Sequence, residues 1–217
     1  MLVLGLTGSI AMGKSHAARL FRAMGVPVCD ADALVHDLFR PGGAAVAPVL
    51  AAFPEAADGA GGVDRARLAR RVLGDRPALR RLEAIVHPLV RRAQRRFLEA
   101  QCRAGRRLVV LDVPLLFETG AERRFDRIVV VSAHPLLQEQ RALRRPGMTR
   151  ERLALLRAEQ LPDAVKRRRA DFVIASGFDR GRTAAAVARI IRAVRGEPGR
   201  AWPRAWLVGE HLRARSR

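Results

Sequence analysis

Short apolar runs alternate along this chain with longer stretches whose apolar positions recur every three or four residues. The first run, Leu2-Val3-Leu4-Gly5-Leu6, has strand length, and behind it Ala17, Leu20, Phe21 and Met24 share one face of a helix. Further runs are Val26-Pro27-Val28-Cys29, Leu108-Val109-Val110-Leu111, Arg127-Ile128-Val129-Val130-Val131 and Phe172-Val173-Ile174-Ala175. Strands that are apolar almost throughout are those covered on both sides. The alternation therefore predicts an α/β fold, a parallel sheet with helices on both faces.

Between the second and third runs lie about 75 residues, far more than a crossover helix requires. This stretch reads as a helical insertion, with Leu82, Ile85, Val86, Leu89, Val90, Ala93 and Phe97 on one apolar face. Pro88 interrupts that face and is expected to start a new helix or kink one. Pro41-Gly42-Gly43 and the glycine-rich stretch 58–62 read as loops. A second elaboration is dense in arginine, and a helix is expected to begin in it after Thr149 as N-cap. The resulting division is a core of 1–32, 105–137 and 170–196, an insertion over 33–104, an arginine-rich segment over 138–169 and a basic tail over 197–217. Trp202 and Trp206 of the tail are expected to pack on the body.

At 217 residues and 49% hydrophobic content the chain can bury a sizeable core, which excludes a disordered protein. No apolar stretch reaches membrane-spanning length, and no basic residue precedes the first short run as it would in a secretory signal. Cys29 and Cys102 have no metal-ligand spacing, so neither a disulfide scaffold nor a zinc site is indicated and a reducing cytoplasm is the expected location. A net charge of +20 raises the question of nucleic-acid binding. Against it, arginines are spread over the whole chain, aromatics are only 5% and tyrosine is absent. The charge reads instead as a solvated basic surface suited to small polyanions. All but two of the 41 cationic residues are arginine, so a lysine here asks for a reason.

Lys14 supplies one. The string Gly8-Ser9-Ile10-Ala11-Met12-Gly13-Lys14-Ser15 fits G-x-x-x-x-G-K-[ST] and sits between a strand and a helix, the context such a phosphate-binding loop requires. Glycines let the backbone wrap phosphate oxygens, and successive N–H groups ending at the helix start point at the anion. Lys14 can reach the terminal phosphates as a mobile point charge, and Ser15 can offer its hydroxyl to a bridging magnesium ion. Asp30-Ala31-Asp32 follows the second run, at the strand end where open α/β sheets bind ligands. These acids either orient and deprotonate a substrate hydroxyl or serve as a helix cap and a solvated charge. Asp112 closes the third run, the position of the acid that supports magnesium in such enzymes. His87, before Pro88, is either structural or part of a site. Arg141, Arg144 and Arg145 could close over a triphosphate or simply be solvated, and Gln160 could be an ordinary helix residue.

Several strings converge on one family. Gly5-Leu6-Thr7-Gly8 leading into Gly13-Lys14-Ser15, Asp30-Ala31-Asp32, Leu82-Glu83, His87-Pro88, Asp112 with Pro114-Leu115-Leu116-Phe117-Glu118, Gln140-Arg141 with Arg145, Gln160 and Ala170-Asp171 resemble the dephospho-CoA kinase family in order and spacing. The resemblance implies a P-loop nucleoside-triphosphate hydrolase-like core, a helical substrate-binding insertion and a lid. It implies ATP and Mg2+ as cofactors and transfer of the γ-phosphoryl group to the ribose 3′-hydroxyl of dephospho-CoA. Carried over by position, Gly8, Ala11, Met12, Gly13, Lys14, Ser15, His16, Arg141 and Arg145 would bind the nucleotide. Ser15 and Asp112 would hold the metal, and Lys14, Asp32 and Arg145 would be catalytic, with Asp32 the base. Asp32, His87, Leu115, Leu116, Phe117 and Glu118 would line the acceptor site. A monomer or weak homo-oligomer is expected, with a small-molecule substrate and neither nucleic acid nor membrane as partner.

Three departures stand out: Ala11 where the family usually has glycine, His16 for threonine, and Ser176 near a usual asparagine. Ala11 matters only if its position requires a positive φ. The rivals are another small-molecule kinase and, from a different class, a nucleic-acid-binding protein. A chain without asparagine cannot carry an Asn-Lys-x-Asp guanine-reading motif, which counts against a regulatory GTPase, and the Ser-Gly-Gly-rich signature of an ABC-type ATPase is absent.

Overall fold

The computed structural model describes residues 1–177 and 179–207, and the chain forms two compact units. One contains Met1–Cys29 and the chain from Ala100 onward; the other is Asp30–Glu99. The apolar runs become β1 (Leu2–Thr7), β2 (Val28–Asp30), β3 (Leu108–Asp112), β4 (Arg127–Ser132) and β5 (Phe172–Ala175). They form one sheet in the order β2-β3-β1-β4-β5, and β1 pairs parallel with β3 and β4 while β4 pairs parallel with β5. β1 is thus the central strand.

Alternation along the strands assigns the two faces. Leu2, Leu4, Leu6, Val110, Val129, Val131 and Ile174 point to one side. There they meet Ala17, Ala18 and Phe21 of α1 (Lys14–Ala23) and Val187, Ile190 and Val194 of a helix at Arg180–Val194. On the other side Ile128 and Val130 pack with Leu116 and Phe117 from the segment after β3. Gly5 of β1 lies under that segment: a Cβ there would come within 2.7 Å of Leu116 Cδ1.

The second unit begins with α2 (Ala31–Phe39), whose N-cap Asp30 accepts bonds from the Asp32 and Ala33 N–H groups at 3.0 and 3.2 Å. α3 (Val46–Ala52), α4 (Arg65–Val72) and α5 (Arg76–Arg103) follow, with Phe39, Val49, Phe53, Leu68 and Val86 forming a small core of their own. Of the two expectations for Pro88, the new helix is not what forms, because α5 runs through it. The ring deprives the carbonyl of Ala84 of its intrahelical donor. Both residues are exposed.

The arginine-rich segment folds as α6 (Pro135–Leu143), α7 (Arg150–Ala158) and α8 (Asp163–Arg169). Thr149 caps α7 as its position suggested, accepting from Arg152 N at 3.2 Å. The tail docks on the first unit as far as it is described. Asp126 accepts from Val3 N through one oxygen and from Arg200 N and Ala201 N through the other, at 2.5–2.8 Å. Trp206 lies edge-on to Phe125 and donates its indole N–H to the Arg124 carbonyl at 2.9 Å. The rest of the expected tail, 208–217, lies outside the described residues.

Candidate active site

The loop 8–13 leaves the carboxyl end of β1 and enters α1 at Lys14. Gly8 has no room for a side chain, since a Cβ would sit 2.5 Å from the Val131 carbonyl oxygen on β4. Gly13, the N-cap of α1, is left-handed at φ 91, and a Cβ there would meet Ser176 Oγ at 2.3 Å. Ala11 is left-handed as well, at φ 58. The condition posed by the sequence is therefore met: an alanine occupies a position that favours glycine, at a cost of about 1–2 kcal/mol. Its methyl group is buried against Ala142 of α6 and Leu153 of α7, which offsets part of that cost.

Lys14 reaches across to β3 and pairs with Asp112 Oδ1 at 2.5 Å, and the Asp112 side chain is buried. Ser15, in the first turn of α1, is exposed. Met12 turns its side chain inward, where Sδ accepts from Ala133 N at 3.0 Å, so only its backbone is left to serve a ligand.

Beside α1 lies a cleft of about 620 Å³ lined by Gly13, His16, Arg141, Arg144, Ser176 and Arg180 among others. Arg141 is fixed there by three bonds, to Ser176 O and Oγ at 3.2 and 2.9 Å and to Gly177 O at 2.7 Å. Ser176, noted in the sequence only as a departure, is what holds it. His16 has a buried Nε2, and burial together with the charges of Arg19, Arg180 and Arg141 keeps its pKa below the ordinary histidine value. The imidazole is thus neutral near pH 7, beside a strongly cationic cleft. Arg145 is exposed and is not part of the cleft lining.

The segment after β3 divides in a way the sequence did not foretell. Leu116 and Phe117 are core residues. Glu118 is committed to the fold: it accepts from Leu161 N at 2.9 Å and pairs with fully buried Lys166 at 2.7 Å. Packing and pairing occupy these three side chains. Leu115 is the exposed member. Asp32 and His87 belong to the second unit, Asp32 exposed in the first turn of α2 and His87 exposed on α5.

Sequence reasoning missed Gln138 and Arg157 near the loop and left the role of Gln160 open. Gln138 and Gln160 bond Ile10, and Arg157 bonds Gln138. It also missed Lys166, although the signal was in the composition, as the second of only two lysines.

A strand–loop–helix unit with its lysine held on an acid from the neighbouring strand marks the P-loop nucleotide-binding class, and an arginine-lined cleft beside it suits the members that transfer phosphoryl groups. Within that class, the family model for dephospho-CoA kinase matches residues 2–178. The chain belongs to the dephospho-CoA kinase family. A dephospho-CoA kinase of Rhodospirillum rubrum is 58% identical over 82% of this chain and 84% of its own length. One from Mesorhizobium japonicum is 52% identical over 92% and 100%. A crystal structure from Thermus thermophilus, 35% identical, superposes with a TM-score of 0.76 over 88% of this chain and 96% of that one. The dephospho-CoA kinase of Campylobacter jejuni, 18% identical with a TM-score of 0.61, shares the fold.

Proposed function

We infer that this protein transfers the γ-phosphoryl group of ATP to the ribose 3′-hydroxyl of dephospho-CoA, giving coenzyme A and ADP, the last step of coenzyme A synthesis. The observation that carries the reading is the phosphate loop with Lys14 set against Asp112, in a chain of this family. Phosphoryl transfer needs positioning and charge neutralisation more than covalent help from the protein. The loop N–H groups and Lys14 supply both at the phosphates, and Arg141, fixed beside Gly13, adds charge at the cleft wall. His16 joins them as a neutral neighbour of the nucleotide. We assign Arg145 to the moving part of the lid, where its exposure leaves it available, and Asp32 to accepting the 3′-hydroxyl proton. His87 and Leu115 are the exposed acceptor-side candidates, while Leu116, Phe117 and Glu118 hold the segment that presents Leu115.

Mg2+ would be held by Ser15 and Asp112 together with the nucleotide phosphates. No cluster of three or more potential protein ligands occurs among the described residues, which fits an ion that takes most of its ligands from phosphate and water. When bound, it would neutralise charge on the phosphate oxygens. Among the described residues no helix is long and apolar enough to cross a membrane, and no disulfide joins Cys29 and Cys102. We propose a cytoplasmic enzyme, monomeric or weakly self-associating, with a small-molecule acceptor.

The decisive measurement is a coupled ADP-release assay with dephospho-CoA against adenosine, pantetheine derivatives and shikimate. Dephospho-CoA alone should stimulate release, and its failure to do so sinks the reading. Lys14→Ala and Asp32→Asn should each lose several orders of magnitude in turnover. Near-normal turnover of Asp32→Asn would remove Asp32 from the base role.

A further inference from the structure

The phosphate loop carries an alanine where its backbone is left-handed, and the peptides beside it are gripped from outside the loop. Ile10 N donates to Gln160 Oε1 at 3.0 Å, and Ile10 O accepts from Gln138 Nε2 at 2.9 Å. Two successive peptide planes are therefore held, one on each side of the Ile10 Cα. The second of these planes contains the Ala11 nitrogen, so its orientation sets one side of the Ala11 φ rotation. The other side is set by Met12, whose N–H closes a turn onto Ser9 O at 3.2 Å and whose Sδ is fixed by Ala133 N. Ala11 is thus constrained at both ends of the bond it would have to rotate.

Gln138 is itself oriented. Arg157 Nη2 donates to its Oε1 at 2.7 Å, and a guanidinium has only donors to offer. The amide oxygen must face Arg157, which leaves the NH2 group for the Ile10 carbonyl. Gln138 is buried, so rotation of the Ile10–Ala11 peptide would leave an amide donor with no water to replace its partner. The same helices, α6 and α7, also supply Ala142 and Leu153, against which the Ala11 methyl packs.

We propose that Gln138 and Gln160 are positioning residues, an amide clamp that holds the phosphate loop in its binding conformation and permits alanine at position 11. Arg157 keeps Gln138 in the required orientation. The clamp does not touch substrate; it acts through Ile10 and Ala11, and its strength matters because alanine, unlike glycine, leaves the left-handed region when released. The proposal rests on the reading of residues 8–15 as the ATP loop.

The test is the KM for ATP, with dephospho-CoA saturating, in Gln138→Leu and Gln160→Leu, each made with Ala11 and with Ala11→Gly. Loss of one arm should raise the KM for ATP about tenfold, with a smaller change in the KM for dephospho-CoA. Adding Ala11→Gly should recover roughly threefold or more of that loss, since glycine needs no clamp to adopt a positive φ. Gln160→Glu, which keeps the acceptor oxygen for Ile10 N, should lie closer to the parent than Gln160→Leu. This comparison decides the matter if Gln138→Leu does not fold. The clamp is overturned if the leucine variants bind ATP like the parent, or if glycine at position 11 gives no recovery. A parent enzyme that releases no ADP would overturn the ATP reading itself, a result distinct from either.

Discussion

Gly13 and Ala11 are two residues apart, both left-handed, and they answer differently to substitution. At Gly13 an added methyl group meets both an unfavourable φ and Ser176 Oγ, the atom that helps fix Arg141. Gly13→Ala should therefore lower stability by about 1–3 kcal/mol and also weaken nucleotide binding, because Arg141 loses its seat. A thermal melt alongside the KM for ATP reads both effects. The glycine spacing of this loop was legible in the sequence because few residue types tolerate such backbone. What Ala11 does was legible only as a condition, since φ depends on which partners grip the neighbouring peptides. Of those partners, Gln138 lies on α6 and Gln160 in the bend after α7; glutamine is usually solvated, so the residue type alone does not say which peptide it will grip.

The segment that follows β3 and the start of α8 are joined by one buried ion pair. Lys166 has no exposed side-chain surface and Glu118 has 15%. Removing the cation alone leaves a carboxylate in a site that cannot hydrate it, so Lys166→Met should cost about 3–5 kcal/mol. Adding Glu118→Gln, which keeps an acceptor for Leu161 N, should return much of that loss, as measured by urea denaturation. Burial by itself would raise the Glu118 pKa, but Lys166 and the N–H groups of Glu118 and Leu161 outweigh it and hold the carboxyl below its ordinary value of 4.5. A depressed native pKa means this contribution is complete above pH 4.5 and is lost as the pH falls from there through the lower native value. Acid denaturation of the parent should therefore be steeper below pH 4.5 than that of Glu118→Gln. At this scale the sequence was informative about strands, whose apolar runs all became β1 to β5. It was less so about Leu116, Phe117 and Glu118, because a motif read as a string does not reveal which side chains face the core.

The first unit is tied together at the amino-terminal edge of its sheet, away from the phosphate loop. Asp126 joins the start of β1 to Arg200 and Ala201, and Trp206 closes over Phe125. Trp206→Ala should therefore cost about 1–3 kcal/mol in thermal or urea unfolding, with the KM for ATP essentially unmoved. A parallel shift in that KM would mean that the tail communicates with the loop. The sequence suggested a basic tail with tryptophans packed on the body, but nothing in a run without periodicity says which backbone groups a distant aspartate will accept.

The central place of β1 also has a consequence for how the protein is made. Its six buried residues leave the ribosome well before β3 and β4, which flank it and begin at Leu108 and Arg127. At roughly 5–20 residues per second, about 5–20 s of translation pass before either neighbour has even been synthesised. During that interval an apolar strand remains uncovered, open to nascent-chain chaperones or to pairing with a neighbouring copy on the same polysome. Gln160 emerges later still, so the Ile10 N–H of the phosphate loop waits for its Gln160 acceptor until most of the arginine-rich segment has been translated.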